Sequence, residues 1–204
     1  MNGRINIEHI KNELVNELKA YVDLEFDIAK TELYKEFDSQ KPDIWEILYS
    51  KMEEIRVGYE EKKKNNECGE LCYIYISYLR TSIVTGNPYY KIEFYDKRDR
   101  YSDLGGEGEW SFSYVYSYFL KIREHIKSVV YSQNIIKLYE VEPIIYELGE
   151  RFHEESKQLL FMLFTYGLEE NRATTYGKIS IYLGEYMDRA ELFVKEKNVP
   201  IMKC

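Results

Sequence analysis

The stretch Cys68-Gly69-Glu70-Leu71-Cys72-Tyr73-Ile74-Tyr75-Ile76-Ser77-Tyr78-Leu79-Arg80-Thr81-Ser82-Ile83-Val84-Thr85-Gly86-Asn87-Pro88 decides the fold. Leu71, Tyr75, Tyr78, Leu79 and Ile83 fall at helical spacing, whereas Tyr73-Ile74-Tyr75-Ile76 has the β-branched and aromatic composition of a strand. Its length favours a helix, and Gly86-Asn87-Pro88 supplies a stop, with glycine for a left-handed cap and proline just beyond. Read that way, the chain is helical almost throughout. The expected fold class is mainly α, an elongated multi-helix bundle of about six helices with a small β-hairpin insertion near residues 89-114, all in a single domain 1-204.

On the C-terminal side, Tyr90-Lys91-Ile92-Glu93-Phe94-Tyr95 and Trp110-Ser111-Phe112-Ser113-Tyr114 alternate as strands do. A lone strand cannot satisfy its backbone, so the two are expected to pair across the charged, glycine-rich loop 96–108. Helical spacing resumes through Val115, Phe119, Ile122, Ile126 and Val130, then through Val141, Ile145, Leu148, Phe152, Leu159 and Leu163, with Pro143 placed in a first turn. A last helix is expected over about 175–197.

On the N-terminal side, residues 5–37 carry two apolar stripes: Ile7, Ile10, Leu14, Tyr21, Leu24 and Ile28, and Val15, Leu18, Val22, Phe26, Ala29, Leu33 and Phe37. Ser39-Gln40-Lys41-Pro42 supplies turn chemistry, and Ile44, Leu48, Met52, Ile55 and Tyr59 continue the spacing, so a helical hairpin is expected. Two stripes ask for more cover than one partner helix provides, which makes a homodimer an expectation.

With 45% hydrophobic and 31% charged residues in 204, the chain has the balance of a globular protein able to bury a core. The net charge of -8 speaks against nucleic acid and anionic lipid as partners. The strongly apolar run 159–166 is far shorter than the ~20 residues needed to cross a bilayer, so no membrane association is expected. Three cysteines, Cys68, Cys72 and Cys204, and no leader-like start read as a reduced, cytoplasmic protein.

Four patterns invite chemistry. Glu150-Arg151-Phe152-His153 has the Glu-x-x-His spacing of helical carboxylate metal proteins, yet neither His125 nor His9 completes a second copy, and a helical wheel sets Glu147, Glu150, His153 and Glu154 opposite the apolar stripe, on a solvated face. Cys68 and Cys72 would share a helical face, but no further zinc ligand is near, so they read as buried thiols. Gly105-Gly106-Glu107-Gly108 lacks the lysine and hydroxyl of a phosphate loop and reads as a flexible hairpin loop. Thr174-Thr175-Tyr176-Gly177-Lys178-Ile179, Leu183-Gly184, Val199-Pro200-Ile201 and Cys204 resemble the helix-turn-helix and acceptor-cysteine region of DNA alkyltransferases. In that family the cysteine directly follows a proline and precedes a His-Arg pair, whereas here Lys203 precedes Cys204.

The least random feature is aromatic. Ten of the 21 tyrosines fall within residues 73–118, about twice an even spread. Tyrosine joins a large contact area to a hydroxyl that wants a partner, so the cluster suits a ligand pocket or a protein interface, and Arg98 and Arg100 beside it suit an anionic group. The bland alternative is that these rings are ordinary core. The sequence therefore leads to a non-enzymatic binding or protein-interaction module with Tyr90, Tyr95, Arg98, Arg100, Tyr101 and Trp110 as binding residues, a protein or small anionic ligand as partner, and no cofactor. The second reading is a helical-bundle metal- or cofactor-binding enzyme using Glu150 and His153.

Overall fold

The structure, a computed structural model, describes residues 7–101, 104–169, 179–188 and 190–194. Four α-helices and five strands follow in the order α1 (Ile7–Lys64), β1 (Tyr73–Tyr78), α2 (Arg80–Thr85), β2 (Tyr90–Tyr95), β3 (Gly106–Trp110), α3 (Ser113–Gln133), α4 (Leu138–Glu169), β4 (Ser180–Glu185) and β5 (Ala190–Val194). The strands form one mixed sheet in the order β3-β2-β1-β4-β5, so the six-helix bundle with a small hairpin is corrected to a helical protein with a substantial sheet. No helix among the described residues is long and apolar enough to cross a membrane.

The decisive stretch is a strand, not a helix, along Tyr73–Tyr78. β1 pairs antiparallel with β2 and parallel with β4, and all but its first residue are buried. A strand buried on both faces loses the alternation that marks a half-buried one, and its continuous apolar run then also fits a helical template. Only Arg80–Thr85 is helical, and Gly86, at φ 77°, ends that short helix with its N–H on the Ile83 and Ser82 carbonyls.

The chain forms two compact units. The first draws on Met1–Asp38 and Ser113–Ser156, the second on Ser39–Phe112 and Lys157–Cys204, so α1 and α4 each supply residues to both. In the first unit, Leu18, Val22, Phe26, Ala29, Leu33 and Phe37 of α1 are buried with Val115, Phe119, Ile122 and Ile126 of α3 and Val141, Leu148 and Phe152 of α4. Phe152 meets Phe26 edge-on at 5.1 Å and Phe119 at 6.2 Å, joining the three helices at one ring. The second stripe on α1 is the buried one; of the first, Ile10, Leu14 and Tyr21 are half-buried and Ile7, Leu24 and Ile28 exposed.

No hairpin forms at Pro42, which lies inside α1. Proline there removes the hydrogen bond to the Asp38 carbonyl, and that carbonyl marks the boundary between the units. The helix runs on past the proline, and within the second unit Ile44, Leu48, Met52, Ile55 and Tyr59 are buried at helical spacing. Helix α4 likewise starts earlier than Pro143 suggests. Glu140 reaches back to accept the Lys137 backbone N–H at 2.7 Å, capping the first turn and leaving Pro143 in the second.

In the second unit, one sheet face presents Ile74, Ile76 and Tyr78 of β1 in register with Phe94, Ile92 and Tyr90 of β2 and with Ile181 and Leu183 of β4. All are buried, with Trp110 of β3 beside Tyr90. Helix α1 lies against this face so closely that a Cβ at Gly108 would stand 2.8 Å from Ile55 Cδ1. Gly106 and Gly108, expected in a flexible loop, are therefore strand residues that let the helix approach. The partner of β2 starts at Gly106 rather than Trp110, and Ser113 already begins α3. The expected last helix is instead the hairpin β4–β5, turning at 186–188, where Met187 takes a left-handed φ of 61°. Residues 170–178 and 195–204 lie outside the described residues, and with them most of the alkyltransferase-like pattern and Cys204; its Leu183 and Gly184 sit in β4.

Gly167 of α4 faces the fully buried Trp45 ring, where a Cβ would come within 2.2 Å of Cζ2. Gly167→Ala is expected to destabilise the protein by about 2 kcal/mol through overpacking. Gly58→Ala, with nothing within 4 Å of the added carbon, is expected to stabilise it by up to about 1 kcal/mol through helix propensity. Urea unfolding midpoints that move in opposite directions check both.

Candidate functional site

The second sheet face is polar and aromatic. Pleating places Tyr73, Tyr75 and Ser77 of β1 in register with Tyr95, Glu93 and Lys91 of β2, Tyr182 of β4 beside Tyr75, and Glu107 and Glu109 of β3 at the rim. Tyr75 stacks on Tyr182 at 4.8 Å and meets Tyr95 edge-on at 5.9 Å.

The chain leaving β2 folds back over this face because Asp96 holds it. The buried Asp96 carboxylate accepts the backbone N–H groups of Arg98 at 2.8 Å and Gly69 at 3.0 Å, and takes the Arg98 guanidinium through Nε and Nη2. The Arg98 contact above all holds the Asp96 carboxyl well below the usual carboxylate range. A 3-10 turn at Asp99–Tyr101 follows, with Asp99 at a left-handed φ of 55°. Asp99 accepts the Tyr75 hydroxyl at 2.8 Å, and the Arg100 guanidinium lies 3.9 Å from the Tyr75 ring centre. Burial first, then the Asp99 hydrogen bond, pushes the Tyr75 phenol up.

Glu93 sits at the centre, 3% exposed. It accepts the Tyr95 hydroxyl at 3.4 Å, lies 3.3 Å from Lys91 Nζ and 3.8 Å from Arg100 Nη2, and its Oε2 has no hydrogen-bond partner. Burial and the Glu93 charge raise Tyr95 to about 12. Burial works against the charge on Lys91, but hydrogen bonds to Glu107 and the Tyr186 hydroxyl and the Glu93 charge outweigh it and leave its pKa raised.

The six residues expected to bind do not converge. Tyr95 and Arg100 lie on the polar face, while Tyr90 and Trp110 belong to the opposite face and the core, 6.0 Å apart. Arg98 is engaged by Asp96, and Tyr101 stands 99% exposed. The reason is the period of two in β2, which sends Tyr90 and Tyr95 to different sides. That same period identifies what was missed, Lys91 and Glu93 between Tyr90, Ile92 and Phe94.

The other candidates resolve as follows. His153 is 7% exposed, not on a solvated face, because α4 packs on two helices and buries a wider arc than one stripe. Lys30 and the Tyr34 hydroxyl of α1 meet its Glu155 at 2.7 and 2.8 Å, and Tyr116 of α3 meets its Ser156 at 3.3 Å. Among the described residues no three His, Cys, Asp or Glu side chains are grouped to hold a metal. Cys68 and Cys72 lie in the loop before β1, half-buried rather than buried, with Cys72 extending the ladder through its N–H and carbonyl.

Two grooves open along β3. One, of about 370 Å³, is walled by Leu79, Tyr89, Lys91, Glu107, Glu109 and Tyr186. The other, of about 570 Å³, runs between Glu46, Ile47, Lys51 and Glu54 of α1 and Glu109 and Trp110. Glu109 borders both.

Asp96→Asn is expected to lower stability by about 1 to 2 kcal/mol at neutral pH through weakened charge-assisted hydrogen bonds. Because folding depresses this carboxyl's pKa, its contribution is full above the ordinary carboxylate value and fades as acid protonates it, so the gap between variant and wild type should narrow below about pH 4 in denaturation measured across pH. No protein-family model matches the chain, and it matches no curated protein and no solved structure.

Proposed function

We propose that this chain is a non-enzymatic binding module that engages its partner along the β3 side of the sheet. The observation that supports the reading is the pair of open grooves sharing Glu109 as a common wall. Each combines apolar surface, from Leu79 and Tyr89 on one side and Ile47 and Trp110 on the other, with charged groups at the rim, the mixture that interaction surfaces use. Glu93 and Arg100 serve as the support beneath, and Lys91, itself a wall of the smaller groove, ties Glu107 of the rim to Glu93. The sequence-level expectation of an anionic ligand at Arg98 and Arg100 is replaced here, since Asp96 and Tyr75 engage both guanidinium groups. Two half-buried thiols outside any disulfide fit a reducing cytoplasm.

A displayed library of linear peptides panned on the immobilised chain tests this. Sequences are expected to be enriched by the wild type and recovered with unchanged mass, retained by Tyr101→Ala at a fully exposed side chain, and lost by at least about tenfold with Glu109→Lys. Enrichment that is equal on Glu109→Lys, or no enrichment on the folded wild type, overturns the reading.

A further inference from the structure

β3 is an edge of the sheet, so one row of its N–H and C=O groups has no strand partner among the described residues. Its backbone is nonetheless fixed, because α1 presses on Gly106 and Gly108 through Ile55. Natural edges are commonly guarded by lysine, proline or a bulge. Here the edge carries Glu107, which holds Lys91, and the exposed Glu109, whose carboxylate favours basic strands over acidic ones.

The two grooves lie on opposite sides of this strand. The smaller adjoins the polar face, where Lys91, Glu107 and Tyr186 meet; the larger adjoins the core face, where α1 covers Gly108 and Trp110. A strand laid against β3 sends successive side chains alternately to these two sides. Their chemistry differs in a matching way. The larger groove exposes Ile47, 63% accessible, beside Trp110, which is 5% exposed and whose Nε1 has no acceptor. The smaller has the Glu109 carboxylate, with no ion partner among the described residues. Together the walls carry Glu46, Glu54, Glu107 and Glu109 against Lys51 and Lys91, in a chain of net charge -8.

We infer that the β3 edge accepts an extended segment of a basic protein as a sixth strand, its lysine or arginine side chains entering beside Glu107 and Glu109 and its alternate apolar side chains entering beside Ile47 and Trp110. This deepens the binding-module reading and rests on it. Main-chain pairing supplies the attachment, and the alternation of basic and apolar side chains supplies the selectivity.

The probes are a short peptide alternating lysine and leucine, the same peptide with glutamate for lysine, and two forms of the lysine peptide N-methylated at every lysine or at every leucine. Titration calorimetry with the full chain is expected to show binding of the lysine peptide that weakens with added salt and by at least about tenfold with the exposed-site variant Glu109→Lys. The glutamate peptide should not bind. One N-methylated form should lose at least about tenfold and the other should not, because alternate N–H groups of a strand point to opposite edges. If both N-methylated forms bind like the parent while Glu109→Lys still abolishes binding, strand addition is wrong and the binding-module reading stands. If the lysine peptide fails to bind while panning yields Glu109-dependent sequences of other character, the basic partner is wrong. Ile47→Glu, on the exposed face of α1, separates the two grooves: it should weaken the lysine-leucine peptide, and unchanged binding overturns the placement of the apolar side chains.

Discussion

Strand β1 must satisfy its backbone on both edges at once. It lies between β2 and β4 with only Tyr73 partly open, so every N–H and C=O along it depends on a ladder partner. One ladder is local, reached through the short helix Arg80–Thr85 and the Gly86 cap. The other is parallel, and a parallel neighbour cannot be reached by a tight turn. The chain between β1 and β4 accordingly contains β2, β3, α3 and α4. The two-faced sheet, its rim and its grooves all presuppose this central strand.

The two faces divide the chemistry. One is apolar and fitted to α1 by glycines that admit Ile55, so its tyrosines and tryptophan act as core residues. The other keeps its phenols, Lys91, Glu93 and Arg100 in a closed set of contacts, with the Asp96 clamp as its hinge pin. The tyrosine excess thus serves two purposes. Tyr78 and Tyr90 fill volume, while Tyr75 and Tyr95 carry hydroxyls to partners.

Helix positions were legible in the sequence wherever one face alone is buried, as in α1 and α3, where the 3.6-residue period survives intact. Of the expected hairpin only β2 was legible; its partner was placed at 110–114, whereas β3 is Gly106–Trp110, whose glycines read as loop. What escaped is where burial is two-sided or locally overridden. β1 reads as continuous apolar sequence, Pro42 looks like a turn although it lies inside α1, and His153 looks solvated until α4 is seen to touch two helices. The six candidate residues are dispersed for a related reason. Proximity in sequence groups Tyr90 with Tyr95 and Arg98 with Arg100, whereas pleating and the Asp96 carboxylate separate each pair. Glu109 carried no signal of its own, since an exposed carboxylate gains meaning only from the grooves on either side.

The parallel pairing of Tyr73 with Ser180 also bears on how the chain comes into being. During synthesis β1, α2 and the β2–β3 hairpin emerge well before β4 does, so a partly made chain presents the second edge of its most apolar strand to the surroundings. Closing that edge requires contacts of long sequence separation, which form slowly. The nascent protein therefore has a period in which aggregation competes with completion, and it ends when the β4–β5 hairpin docks.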